Sequence, residues 1–347
     1  MHASPNLDVL RSLAVIFVVV SHLLLEKSVT EVGGYHTQTL GTLGVLIFFV
    51  HTCLVLMQSL ERQAKTQRSN PTAVQFLIGR ACRIYPLSVV VVIFVSSIEW
   101  MHHTQPTLLT LFSNLFLVQN LTGSPSVTPV LWSLPYEIQM YCFLPAIYLM
   151  IRRSGTSASY CSIVLWGACI ALVYIFWRMG WSTNLIRFFP CFLPGVLAFC
   201  LRHSLRSLPS IALFAYVGAA ALSYPLMVGH GVSATVLSWM ICLGLGLLIP
   251  RCKEIRWPVL QLFGRVIARY SYGVYLVHVP VLYFSFRYLT RISPLTSWAI
   301  FIGGVSCLSY FAYHFIEKPG IEMGRALVER LNADRGQSNH QRRWSNF

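Results

Sequence analysis

Charged residues are scarce in this chain of 347 residues: Asp, Glu, Lys and Arg make up 11% of it, whereas 55% of its residues are hydrophobic. Soluble domains carry about 25% charged residues. The mean hydropathy is +0.62, and long apolar stretches recur along the whole sequence. These features exclude an ordinary soluble domain and predict an all-α, polytopic transmembrane helical bundle.

Signals for secretion, metal binding and nucleotide binding are also missing. The N-terminus has neither a basic n-region nor a small-residue cleavage site, so the first helix is expected to stay in the mature protein. None of the ten cysteines belongs to a C-x-x-C pair, so we expect buried thiols and no metal. Nothing in the sequence resembles a Walker loop, a Rossmann glycine fingerprint or a zinc ligand set.

The apolar stretches predict about ten membrane spans in a single domain, since neither a low-complexity linker nor an obvious internal repeat divides them. Their bounds are 9–25, 39–60, 76–98, 129–151, 160–177, 184–201, 210–228, 233–250, 264–286 and 295–316. The apolar segment 107–121 is short and is expected to be an interfacial or re-entrant helix. The transmembrane domain is assigned to residues 1–320 and a basic cytoplasmic tail to 321–347.

Positive charge is distributed unequally between the loops. With the N-terminus in the cytoplasm, 21 of the 26 Lys and Arg residues fall on the cytoplasmic side of these spans and 5 on the other side. This asymmetry predicts that both termini are cytoplasmic. It also accounts for the net charge of +15 without nucleic acid as a partner, and the expected surroundings are membrane lipid.

Two ionisable residues interrupt the first span. Arg11 and His22 are separated by about three helical turns, so they lie on one helix face about 16 Å apart. Ionisable groups at that depth usually face a bundle interior or a water-filled cavity. Asp8 lies on the same face as Arg11 and can pair with it; an interfacial ion pair that only anchors the helix is the alternative.

His22 and Glu137 are candidate catalytic residues. An imidazole can act as a general base at neutral pH, although a lone histidine on an apolar helix face often has only a structural role. Glu137 lies at a comparable depth in the fourth span, and a carboxylate that orients a base is the ordinary arrangement for activating a hydroxyl. The alternative is that Glu137 satisfies a buried arginine or the backbone kinked near Pro135.

Two arginines lie one turn apart near the cytoplasmic end of the third span. Arg80 and Arg83 present two guanidinium groups on one face, which suits phosphate recognition. The alternative is that these arginines only fix the orientation of the helix in the membrane. Five residues are candidates to line a substrate site: Asp8, Tyr136, Tyr272, Tyr275 and His278.

Six short motifs follow one another along the chain. They are Leu7-Asp8-x-Leu10-Arg11 with His22, Gly44-Val45-x-x-Phe48-Phe49-Val50, Arg80-x-x-Arg83-x-x-Pro86, Trp132-Ser133-Leu134-x-x-Glu137, Tyr270-Ser271-Tyr272-Gly273-x-Tyr275-Leu276-x-His278 and Glu317-Lys318-Pro319. In this order they resemble the acyltransferase-3 family of integral membrane proteins, over nearly the whole chain. The chain departs from the family at His51-Thr52-Cys53, where many members have Ser-Gly-Phe, and His51 is therefore a candidate subfamily-specific contact.

The resemblance implies a multi-pass O-acyltransferase of the bacterial inner membrane, in the form without an appended extracytoplasmic hydrolase-like domain. Its donor would be cytoplasmic acyl-CoA, usually acetyl-CoA, and its acceptor a hydroxyl of a cell-surface polysaccharide or glycolipid. Arg80 and Arg83, with Arg11, would hold the CoA phosphates. His22, supported by Glu137, would deprotonate the acceptor hydroxyl or carry the acyl group itself.

Two other functions are compatible with buried ionisable residues. A transporter of a sugar or anion would use them as pathway residues, but would be expected to show an internal repeat with broken helices. A family member that has lost catalysis and only assists an export machine is a second alternative. Intact Arg11, His22, Arg80, Arg83 and Glu137 argue against that loss.

Overall fold

The computed structural model describes residues 4–67, 73–203, 206–289 and 292–344. Almost all of them are helical. The helices are α1 (Pro5–Glu26), α2 (Thr37–Gln67), α3 (Ala73–Met101), α4 (Leu108–Leu115), α5 (Gln119–Thr122), α6 (Leu134–Arg153), α7 (Ala158–Arg178), α8 (Phe189–Cys200), α9 (Ser210–Gly229), α10 (Ala234–Leu248), α11 (Pro258–Tyr283), α12 (Pro294–Ala312) and α13 (Lys318–Trp344). A hairpin of two antiparallel strands of two residues each, β1 (Glu31–Val32) and β2 (Tyr35–His36), connects α1 to α2.

The helical architecture confirms the predicted polytopic all-α fold. Within the described part of the chain, eight helices are long and apolar enough to cross a membrane. Two of the ten predicted spans, 184–201 and 264–286, fall outside that set. The first corresponds to the short apolar helix α8, and the second to α11, whose hydropathy is lowered by Arg269, His278 and several tyrosines.

Helix α1 packs between α2 and α11, and small residues allow both contacts. A Cβ atom on Gly44 of α2 would overlap the carbonyl oxygen of Ala14, and one on Gly264 of α11 would lie 2.7 Å from Val9 Cγ2. Close backbone approach through glycine is a common way for membrane helices to associate. It positions α2 and α11 beside the face of α1 that carries Arg11 and His22.

Two irregular segments shape the centre of the bundle. A 3-10 helix over Pro129–Ser133 leads into α6, and a π-helical turn over Tyr313–Glu317 joins α12 to α13. The predicted interfacial segment 107–121 forms α4 and α5. The exposed apolar side chains of α4, which include Leu108 and Phe112, are consistent with contact to lipid.

The helix that contains the last span does not stop where the sequence predicted the tail to begin. Since the π-helical turn continues directly into α13, the backbone stays helical from Pro294 to Trp344. Helix α13 packs along α3, where Gln75 Nε2 donates a hydrogen bond of 2.6 Å to Asn332 Oδ1. The proposed boundary between 320 and 321 therefore lies inside a packed helix.

Candidate active site

The face of α1 that carries Arg11 and His22 borders two separate cavities. We call the side on which α1 begins the inner side and the side on which it ends the outer side. Arg11 lines a cavity of about 60 Å³, here called the inner cavity. His22 lines a second cavity of about 110 Å³, here called the outer cavity.

Charged side chains from three helices surround the inner cavity. Arg11 comes from α1, Arg83 from α3 and Glu137 from the first turn of α6. Arg11 Nε donates a hydrogen bond of 2.6 Å to Ser271 Oγ on α11. The hydroxyl of Tyr141 donates a short hydrogen bond to Glu137. The cavity thus has two guanidinium groups and a carboxylate on its walls, and its volume is that of a few water molecules.

Glu317 adds a second carboxylate to this region. It is 1% exposed, and neither carboxylate oxygen has a hydrogen-bond partner among the described residues. Its closest charged neighbours are Arg83 and Arg11. A buried carboxylate is expensive unless it is compensated, so we interpret Glu317 as the counter-charge of these two arginines.

Arg80 lies one turn from Arg83 but does not line the inner cavity. Its guanidinium group is 5.9 Å from the ring centroid of Phe76, and it interacts electrostatically with Tyr141 and Glu137. Arg80 Nε is buried and has no hydrogen-bond partner in the described part of the chain. One N–H of this residue is therefore buried without a partner among the described residues.

The partner of His22 is a second histidine. His22 Nδ1 lies 2.9 Å from the carbonyl oxygen of Val18 and 3.4 Å from Nε2 of His278. Because a carbonyl oxygen can only accept, Nδ1 of His22 must carry a proton. His278 Nδ1 similarly donates to the carbonyl of Val274 at 2.9 Å. In the neutral ring, His22 Nε2 is then a bare nitrogen, free to accept a proton at the wall of the outer cavity.

Tyr275 separates the two cavities. It lines both of them, as does Val45 of α2. The hydroxyl of Tyr275 donates to the carbonyl of Val130 at 2.7 Å and lies 2.7 Å from Ser133 Oγ. These bonds hold Tyr275 to the 3-10 helix that precedes α6, so a group passing between the cavities would pass beside this hydroxyl.

A family model described as an acyltransferase domain, Acyl_transf_3, matches residues 4–314 of the 347 residues. The chain belongs to the acyltransferase-3 family. Searches of the curated proteins and of the solved structures gave no match. The family match and the apolar helices together make this protein a multi-pass membrane acyltransferase.

The acyltransferase brings some of the predicted residues together and keeps others apart. Five of the predicted residues line the inner cavity: Arg11, Arg83, Glu137, Tyr272 and Tyr275. The predicted contact between His22 and Glu137 is not formed. The described hydrogen bond of the Glu137 side chain is with Tyr141, and its charged neighbours are arginines, which matches the alternative interpretation.

Three further predictions, one ion pair and two lining residues, differ from the structure. Arg11 bonds to Ser271, and no ion pair with Asp8 is formed among the described residues, because the guanidinium group points to the inner cavity. His278 was expected to line the substrate site; it is fully buried and supports His22. Tyr136 packs against Phe188 with ring centroids 4.8 Å apart and lines neither of the two cavities.

Two residues were underestimated from the sequence. Glu317 was noted only as part of a motif, although a carboxylate at the end of an apolar helix was a signal that it needs a cationic partner. His51 is 6% exposed and its charged neighbours are Arg11 and Arg83. Its position beside the arginines keeps it a candidate contact at the inner cavity.

Proposed function

We propose that this acyltransferase moves an acyl group, most simply acetyl, from cytoplasmic acyl-CoA to a hydroxyl of a cell-surface polysaccharide or glycolipid. The inner side would face the cytoplasm of a bacterium, and the protein would lie in its inner membrane. The observation that supports this assignment best is His22, which lines a cavity on the outer side and whose Nδ1 contact with the Val18 carbonyl leaves Nε2 as the basic atom. The charged inner cavity lies next to it, beyond Tyr275.

In the proposed reaction, His22 acts as a general base. As the acceptor oxygen forms its bond to the acyl carbon, its proton passes to His22 Nε2, and the carbon–sulfur bond of the thioester breaks. The proton then returns to the leaving thiolate, so the histidine ends neutral. His278 Nε2 and the Val18 carbonyl both face His22 Nδ1–H and would stabilise the imidazolium while it exists.

The donor would approach from the inner side. A cavity of about 60 Å³ can admit the acyl thioester end but not a nucleotide, so the phosphates of CoA would lie beyond it. Arg80 Nε, which has no partner in the described chain, is one group suited to a phosphate oxygen there. Arg11 and Arg83 would instead face the thioester, where a guanidinium group can stabilise charge that develops on the carbonyl oxygen.

The assignment is tested by mass spectrometry of surface glycans from cells that lack the gene and are complemented with variants. Wild type should restore a mass difference of one acyl group, which is about 42 Da if the group is acetyl. His22→Ala should restore nothing, because the base is lost. His314→Ala is the matched control, since His314 is a membrane histidine that lines neither cavity.

Two results would contradict the proposal. Full acylation by His22→Ala, at equal protein level, would remove His22 from the reaction. A glycan profile that is the same with and without the gene would remove surface carbohydrate as the acceptor. An acyl-protein trapped by acid quenching with radiolabelled acetyl-CoA, and absent in His22→Ala, would show that His22 carries the acyl group.

A further inference from the structure

A third cavity adjoins the outer cavity and has no role in the reaction described so far. It measures about 290 Å³, close to the lower limit of about 300 Å³ for small-molecule sites. Thr42 and Trp132 line both it and the outer cavity. A ligand in this third cavity, here called the aromatic cavity, can therefore extend toward His22.

The walls of the aromatic cavity combine flat rings with hydroxyl groups. The rings come from the 3-10 helix before α6, from the residue that precedes α8, and from α9 and α10: Trp132, Phe188, Tyr224 and Trp239. The hydroxyl groups belong to Thr39, Thr42, Thr235 and Ser238. A sugar ring has apolar C–H faces that pack on aromatic rings and a polar edge that needs hydrogen bonds, so this lining suits a carbohydrate.

Arg187 gives the aromatic cavity a positive charge. Its guanidinium group is 5.5 Å from the ring centroid of Phe188, and none of the ion pairs in the described part of the chain includes it. Two carboxylates of the outer side are already engaged: Glu26 pairs with Arg287, and Glu31 with His36. Arg187 is exposed, so its charge is accessible to a ligand that enters the cavity.

The start of α10 reinforces this charge. Ala234 and Thr235, the first two residues of α10, line the same cavity. No side chain caps this helix end, and the free N–H groups of a first helical turn favour an anion. The cavity thus presents a cation and a helix N-terminus together with its aromatic rings.

We propose, given the proposed function, that the acceptor is an anionic sugar unit bound in the aromatic cavity. Its carboxylate or phosphate group would pair with Arg187, and its ring would pack on the aromatic side chains. A hydroxyl on the opposite edge would then point past Thr42 and Trp132 to Nε2 of His22. Arg187 would select acidic acceptors over neutral ones of the same shape.

The test measures binding and transfer separately on the full-length protein in detergent. Calorimetry compares methyl glucuronide and methyl glucoside 6-phosphate with neutral methyl glucoside. Wild type should bind at least one acidic glycoside about 10- to 100-fold more tightly than the neutral one, the range of a charge-assisted hydrogen bond. The acidic glycoside that binds more tightly identifies which anionic group the site accepts.

Three variants decide whether Arg187 causes this preference. Arg187→Gln should lose the preference while binding of the neutral glycoside changes little, and Arg187→Lys should keep most of it. Arg178→Gln is the matched control, because Arg178 is another outer-side arginine at the end of α7 that does not line this cavity. It should behave as wild type.

Equal binding of acidic and neutral glycosides by wild type, or binding of neither, would overturn the inference. So would a preference that survives in Arg187→Gln. Transfer is followed in the same samples by release of free CoA from acetyl-CoA. Transfer to neutral sugars with no effect of Arg187→Gln would keep the proposed function and reject the anionic acceptor. Charge-dependent binding without any CoA release would keep the anionic ligand site and reject the proposed acyl transfer.

Discussion

His22 illustrates how the protonation state of one residue follows from its neighbours. The carbonyl of its own helix fixes a proton on Nδ1, and this leaves Nε2 as the basic atom. His278 is anchored in the same way by Val274, so its bare Nε2 faces the Nδ1–H of His22. The two ring centroids are 5.1 Å apart. His278 lines none of the three cavities, so we infer that it positions His22 and does not contact substrate.

His278→Gln should lower kcat by about 10- to 100-fold, the usual effect of losing a group that orients a catalytic or ligating histidine. The KM for acyl-CoA should change little, because His278 is remote from the inner cavity lining. The measurement is steady-state CoA release across pH with purified enzyme. His314→Gln serves as the control and should keep the wild-type pH profile.

A structural role alone for His278 would give a different pattern. The variant would then lose thermal stability, and kcat would fall only in proportion to the folded fraction without any change in the shape of the pH profile. That result would reject the positioning role.

The site residues also show what residue counting along the chain can and cannot predict. The spacing of Arg11 and His22 correctly predicted that both face the interior, because both belong to one continuous helix. Glu137 belongs to another helix, and counting gave only its approximate depth. The five residues before α6 form a 3-10 helix, which rises about 2.0 Å per residue instead of 1.5, so counting residues as a regular α-helix does not give the depth of Glu137. Contacts between helices, such as that of His22 with His278, depend on how each helix is rotated about its own axis, so they could not be predicted from the sequence.

At the scale of elements, the junction of α12 with α13 couples the last span to α3. The π-helical turn ends at Glu317, which compensates the charge of Arg83 and Arg11. A short distance further, Gly320 faces the carbonyl oxygen of Cys82 on α3 so closely that a Cβ atom would overlap it. The glycine contact therefore fixes the distance between α13 and the α3 turn that carries Arg83.

Gly320→Ala should destabilise the protein by about 1–3 kcal/mol, since the added methyl group forces α13 away from α3. Gly303→Ala is the matched control, because a Cβ atom there meets nothing within 4 Å. In an open helical position this change should stabilise by up to about 1 kcal/mol. Thermal unfolding of both variants in the same detergent measures the difference. Equal unfolding temperatures would show that α13 is not held by this contact.

The sequence predicted where the apolar spans lie better than it predicted where the last helix ends. Long apolar runs located the helices because burial in lipid requires about 20 apolar residues. The same criterion placed the end of the last span at residue 316, where charged residues become frequent, although the backbone remains helical beyond it. Helix α13 is stabilised by packing on α3, and a tertiary contact of that kind leaves no local hydropathy signal. The three cavities arise from side chains of many helices and were likewise not predictable.

At the scale of the whole molecule, the cavities follow one another from the inner side to the outer side. The inner cavity shares Tyr275 with the outer cavity, which in turn shares Trp132 with the aromatic cavity. Under the proposed function, donor and acceptor would approach from opposite faces and meet near Tyr275, so that neither one crosses the bundle. This arrangement has a functional meaning only if the inner side is cytoplasmic, where acyl-CoA is found.

The predicted orientation can be measured with two cysteine variants and a membrane-impermeant maleimide. Thr104 and Ser157 are both exposed and lie at opposite ends of the bundle, Thr104 in the loop after α3 and Ser157 in the 3-10 turn before α7. With both termini cytoplasmic, Thr104→Cys should react in intact cells and Ser157→Cys only after permeabilisation. The wild-type chain, with its ten cysteines, gives the background. The reverse pattern would place His22 on the cytoplasmic side, and the arginine-lined cavity would then face away from acyl-CoA, contradicting transfer across the membrane in the proposed direction.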